Sequence, residues 1–392
     1  MQRTAVYWLV YEISDSAFIL GITVFCAQFP SFLFSLLGGV VSDRYDRFRV
    51  LLATQLVSLV QALSLAILVY LGNYELWHIL LLTAALGFIN AFDVPARQAM
   101  VYDMVDQKGT LANAIALNSS MVNVARLVGP ALSGLVLSEF GAEVCFLSNA
   151  FSFMAVIISL LLMKLPRYQV HKRAASIAAD LKEGFNYLRN TPDISKVMLM
   201  LAGVSLLSLP FITLLPIYAG EIFGGDASTF GLLNSFVGVG AVSGALFLAS
   251  MNPGNNLKKF LFRCTLLFAF GLMAFAYMKS FPIALIFITL AGFGMMAQTT
   301  LSNTIIQTTV ALPMRGRVIS FYAMAFFGMQ PIGSLLVGGA AEVIGAPLTI
   351  FLQGIATLMI AIGFFPFLRK DVVYRRIRMK LKQVEDRVIE NT

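Results

Sequence analysis

Eleven times in 392 residues the chain runs apolar for about the 20 residues that let an α-helix cross a bilayer. These runs fall near 17–42, 50–71, 77–95, 113–138, 142–164, 197–219, 228–250, 260–278, 281–307, 318–341 and 346–368. Residues 1–13 are apolar enough for a twelfth, but they rise only about 20 Å of the roughly 30 Å required. The first span is therefore expected to be incomplete, from a late start or a natural fragment. With 58% of residues hydrophobic and only 12% charged, against roughly 25% charged in soluble domains, the chain is expected to be an all-α membrane protein.

Between the first two long runs, Asp43-Arg44-Tyr45-Asp46-Arg47-Phe48-Arg49 places five charges in seven residues. So dense a cluster cannot lie in hydrocarbon, so it marks a tight turn at the membrane surface. If successive runs alternate direction, all but three of the 28 Lys and Arg residues fall on the same face as this turn or in the tail; the exceptions are Arg3, Arg126 and Lys279. That face is expected to be cytoplasmic. The net charge of +8 then records topology, and no nucleic-acid partner is implied.

One polar gap, 165–195, divides the chain. It is expected to be a cytoplasmic linker between an N-terminal half, 1–164, and a C-terminal half, 196–368, with a basic cytoplasmic tail at 369–392. Within the gap, Ile177, Leu181, Phe185 and Leu188 recur at helical spacing over Ser176 to Arg189, which predicts a short interfacial helix. The halves echo each other: Gly87-Phe88 recurs as Gly292-Phe293, and Gly129-Pro130-Ala131-Leu132-Ser133-Gly134 as Gln330-Pro331-Ile332-Gly333-Ser334. Similar offsets, 205 and 201 residues, fit a parallel duplication of a six-helix unit, with Pro331 as the counterpart of Pro130.

Enzyme chemistry finds no footing. There is no Walker loop, His78 and His171 lie in different segments, and Cys26, Cys145 and Cys264 sit singly inside apolar runs as packing residues. Neither a metal nor a cofactor is expected.

Several motifs carry a family resemblance. Gly39 to Arg47 resembles the G-x-x-x-D-R-x-G-R-[RK] signature of the major facilitator superfamily, with Asp46 in place of its second glycine and Phe48 in place of the following base. Ala91-Phe92-Asp93-Val94-Pro95-Ala96-Arg97-Gln98, Asn123 to Pro130, Asp180-Leu181-Lys182-Glu183-Gly184 and Arg315-Gly316-Arg317-Val318 resemble its drug-efflux and siderophore-export branch. The resemblance implies two six-helix halves around a central cavity and a secondary transporter in the inner or plasma membrane. It also implies a gate, in which the loop of Gly39, Asp43, Arg44 and Arg47 latches onto the helix that starts near Arg317. Asp93 is expected to offer Arg47 a second carboxylate. The alternative is a solvated turn that only sets topology.

Gly129, Pro130 and Gly134 resemble the helix bend of efflux members, with Pro331 as a counterpart. Arg126, inside a span at a cost of at least about 2.5 kcal/mol, should face the cavity. There it would bind an anionic cargo group or respond to a proton-carrying carboxylate; alternatively it pairs with Asp93 or bonds Asn90 and Asn123. Arg3, Gln28, Asn90, Asn118, Asn123, Asn234, Gln298, Asn303, Gln307 and Gln330 complete the cavity candidates, each equally suited to joining helices. Together these features predict a monomeric, proton-driven exporter of a small amphipathic cargo. A lysophospholipid or other lipid carrier on the same fold, and a non-transporting fragment or membrane sensor, are the alternatives.

Overall fold

A computed structural model of the chain describes residues 1–103, 111–163, 177–251 and 256–368. The expected interfacial helix lies within that set only from Ile177, and the basic tail lies outside it. Every regular element among the described residues is helical.

Helix α1 (Gln2–Ser14) ends where Asp15 takes a left-handed conformation, φ 47°. Ser16 then caps α2 (Ala17–Arg44), its side chain accepting from the Ile19 N–H. At the charged turn Asp46 caps α3 (Arg47–Tyr70), so one of the two acids there is spent on a helix end. Helix α4 (Leu76–Asp103) follows, then α5 (Leu111–Leu162). The latter covers two expected spans, because Gly141, at φ 84°, bends it sharply into arms 111–140 and 142–162.

The amphipathic α6 (Ile177–Asn190) leads to a crossing, Pro192–Ile222, that is helical in pieces. It comprises α7 (Pro192–Leu207), a tighter 3-10 stretch (Leu209–Leu214), the single turn α8 (Leu215–Ile217) and a π-turn (Tyr218–Ile222). Helices α9 (Ala227–Ala249), α10 (Leu257–Ala276) and α11 (Phe281–Thr309) are regular. The next crossing joins α12 (Arg315–Ala323) to α13 (Met329–Ile344) through a π-turn at Met324–Gly328. Gly345, at φ 82°, then turns the chain into α14 (Ala346–Leu368).

Prolines explain how these helices approach one another. A proline within a helix removes the N–H that would bond the carbonyl four residues earlier. Pro30, Pro95, Pro130 and Pro210 thereby free the carbonyls of Cys26, Ala91, Arg126 and Leu206. Each of these carbonyls sits against a glycine of another helix: Gly87, Gly38, Gly238 and Gly333 respectively. A methyl group on Gly38 would lie 1.8 Å from the Ala91 oxygen, and one on Gly333 would lie 2.0 Å from the Leu206 oxygen. At Gly38 and Gly333 freed carbonyl and bare Cα thus meet at distances no side chain would permit, as expected where close packing rather than apolar burial holds membrane helices together.

The halves repeat. Gly87 of α4 packs on the backbone of α2 at Ala27, and Gly292 of α11 packs on the backbone of α9 at Val237. Inside the first half a chain of buried amides adds polar ties: Asn149 donates to Gln2 (2.6 Å), Gln2 to Gln61 (2.9 Å), and Gln61 to the Leu82 carbonyl (3.0 Å). Four helical segments are joined by amides that stand singly in the sequence.

Candidate functional site: a seam closed at one face

The halves meet through two helix pairs, α2 with α13 and the first arm of α5 with α9. Both contacts are made of small residues at the face opposite the charged turn. Gly21 abuts the Ser334 carbonyl and the Gly338 Cα; Gly231 abuts the Pro130 carbonyl and the Gly134 Cα. The two seams are equivalent under the internal repeat, so the counterparts of Pro130 and Gly134 are Ser334 and Gly338. The expected pairing with Pro331 is corrected accordingly: Pro331 is buried about one turn away. Gly129, by contrast, has nothing within 4 Å of where a Cβ would stand. Around Pro130 the chain keeps helical dihedrals, and the sharp bend is at Gly141.

Aromatic and polar groups reinforce this closure. Trp8 stacks on Phe230 across the halves (6.0 Å between ring centres), and Tyr11 covers Gly220 in the π-turn. Glu342, near the end of α13, accepts from the Ser16 hydroxyl (2.9 Å) and the Phe18 N–H (3.1 Å) through one oxygen, capping the start of α2. Nearer the charged turn, the Phe32 ring packs against Gly328.

At the arginine-rich face the picture reverses. Leu33, Leu36 and Leu37 on α2 are about half exposed, and both Gly39 and Gly316 look onto open space. The side chain of Asp43 lies outside the described residues, and Arg44 is exposed. Arg317 pairs with Glu183 of α6 at 2.9 Å, while Gly184 packs on Phe321 and the Tyr187 hydroxyl accepts from the Ala311 N–H. The linker helix thus packs on the start of α12.

Asp93 also has other partners than expected. It is 6% exposed and accepts from Thr54 (2.8 Å), Gln55 (2.6 Å) and Arg97 (3.1 and 3.4 Å). Arg97, one turn away on the same helix, takes the carboxylate expected for Arg47. Arg47 instead directs Nε to the Ser42 carbonyl (3.4 Å) and Nη1 to the Ala99 carbonyl (3.5 Å), tying the charged turn to the end of α4.

The pattern that defines transmembrane secretion effectors matches residues 1–376. The chain belongs to that family, within the major facilitator superfamily. Over 386 residues the chain is 29% identical to the staphyloferrin A transporter of Staphylococcus aureus, covering 96% of this chain and 92% of that one. It is 22% identical over 373 residues to the multidrug efflux pump Tap of Mycolicibacterium fortuitum, covering 93% and 91%. Among solved structures, a bacterial homolog of the human lysosomal transporter Spinster, inward-facing and unoccupied, superposes with a TM-score of 0.74 at 16% identity, covering 95% and 94%. That likeness establishes a shared fold.

Arg126 lies two turns from Ser133 on one face of α5, and the Ser133 hydroxyl donates to the Met1 carbonyl. That face therefore points toward the start of α1. Arg126 is exposed and meets no polar partner among the described residues, so neither the pairing with Asp93 nor bonds to Asn90 and Asn123 are made. Arg3 is exposed and lies along its neighbour Tyr7, donating to that hydroxyl at 3.1 Å. Asn118 is exposed; Gln28, Asn90, Asn123 and Gln330 are half-buried.

Four other candidates belong to packing. Asn234 donates to the Phe230 carbonyl of its own helix, Gln307 donates to Asn303, and Gln298 is wholly buried with neither amide atom partnered. The packing of the Gly134 segment on the opposite half follows from its glycines and proline, but sequence reasoning missed Glu342, because an acid at the end of a span reads as solvated. Among the described residues, no group of three or more His, Cys, Asp or Glu side chains could hold a metal ion.

Proposed function

We propose that this multi-pass membrane protein exports a small amphipathic molecule by alternating access, with inward-moving protons as the driving force. One observation carries the reading: the halves are sealed by glycine seams and the Glu342 cap at one face, while at the other Leu33, Leu36 and Leu37 are exposed and Gly39 and Gly316 look onto open space. Arg126 lies exposed at intermediate depth. Rocking about the seams would present the same interior to each side in turn. The basic face is then the cytoplasmic one, the membrane is the inner or plasma membrane, and the protein works as a monomer with its C-terminus inside. Relatives that transport a siderophore and pump drugs support the class of cargo.

The test is accumulation of fluorescent drugs or of a labelled siderophore in cells expressing the chain. The expected result is lower accumulation than in cells expressing an Asp43→Asn variant, with the difference abolished by a proton uncoupler. Equal accumulation in both, unchanged by the uncoupler, overturns the proposal.

A further inference from the structure

Away from the seam, a second feature has the form of a binding site. Helix α3 packs along both α4 and the second arm of α5, while α4 and that arm barely meet. The gap between them at the arginine-rich face is a slot of about 170 Å³ lined by Leu51, Met100, Val156, Ser159, Leu160 and Met163, with Arg97 at its mouth. Its walls are apolar in effect, because the one hydroxyl present, that of Ser159, donates to the Ala155 carbonyl of its own helix.

The mouth is cationic and has donors to spare. Asp93 engages Nε and one hydrogen on Nη2 of Arg97, and a guanidinium carries five N–H donors, so three remain. The Arg97 side chain is 48% exposed, whereas the Asp93 carboxylate is 9% exposed and turned inward to Thr54 and Gln55. A second guanidinium, that of Arg47, reaches the Ala99 carbonyl beside Met100. A half-exposed guanidinium with donors to spare thus stands over an apolar slot at the basic-face end of the spans.

We infer that this slot binds an anionic phospholipid of the basic-face leaflet, with part of one acyl chain between α3, α4 and the second arm of α5 and its phosphate on Arg97. Charge complementarity selects this occupant over a zwitterionic lipid, and the apolar walls select it over free phosphate. The site lies outside the cavity between the halves and is independent of which cargo is carried.

The test uses the full chain in vesicles of phosphatidylcholine doped with phosphatidylglycerol or phosphatidylcholine bearing a photoreactive diazirine on one acyl chain, with crosslinked peptides mapped by mass spectrometry. Phosphatidylglycerol should label the segment from Val156 to Met163 about fivefold more than phosphatidylcholine, the ratio one basic residue near a membrane surface supplies. Arg97→Gln should bring that ratio to about one. Ser159→Trp, which fills the slot without touching Asp93, should remove the label while leaving drug accumulation in cells unchanged. Equal labelling by the two lipids, or labelling that survives Ser159→Trp, overturns the assignment.

Discussion

Glu342 spans the two halves with a single carboxylate oxygen, accepting from a hydroxyl and a backbone N–H at the start of α2. In Glu342→Ala both bonds are lost, so the closed face should weaken by about 1 kcal/mol, given that the pair is exposed. Pulsed electron resonance between spin labels at the sealed ends of α2 and α13 should show a longer-distance population; an unchanged distribution rules out a gating role. Arg126 poses the opposite problem, a charge that costs at least about 2.5 kcal/mol to insert and that meets no polar partner among the described residues. Arg126→Gln should raise the yield of inserted protein yet lower transport of an anionic cargo at least tenfold, with Arg126→Lys between the two. If transport survives in Arg126→Gln, the arginine has no part in cargo handling.

At the scale of elements, adjacent glycines of α2 make a controlled comparison. A Cβ on Gly38 would strike the Ala91 carbonyl at 1.8 Å, whereas one on Gly39 would meet nothing within 4 Å. Gly38→Ala should therefore cost about 1–3 kcal/mol or prevent folding, and Gly39→Ala should be close to neutral in thermal unfolding in detergent. If both variants melt alike, the reading of the α2–α4 contact is wrong.

Helix α9 begins with a cap whose pH dependence has a definite sign. The Ser228 hydroxyl, bonded to Asp226 at 2.6 Å, holds that carboxyl below its ordinary value of 3.8, with the Thr229 N–H helping. The ionised acid is favoured in the folded state, so its contribution is complete above the ordinary value and is lost as the pH falls through the lowered one. Asp226→Ala should cost about 1 kcal/mol at neutral pH and less in acid.

For the whole molecule, the apolar runs made the crossings legible, because bilayer thickness fixes their length. Hidden from that reading were the interruptions: the π-turns at Tyr218–Ile222 and Met324–Gly328 leave no break in hydropathy. The repeat was visible in Gly87 and Gly292, which share a packing role, but Pro331 misled, because seam equivalence depends on backbone contact rather than on matching letters. Asp93 was recognised as important; its partner was missed although Arg97 stands one turn away on the same helix, because attention went to the charged turn. Alternating access predicts that spin labels on Leu37 and Leu312, both exposed at the arginine-rich face, approach one another when that face shuts. A distance that is the same with and without bound cargo would falsify rocking about the seams.

If the halves rock about the seams as proposed, sealing one face moves cross-section toward the leaflet of the other. Each turn of such a cycle would trade cross-sectional area between the leaflets. Lateral pressure in the lipid then does mechanical work on the conformational equilibrium, with cone-shaped lipids in one leaflet favouring one orientation and their depletion favouring the other. The bilayer around this chain is thus a source of bias on the cycle as well as a solvent.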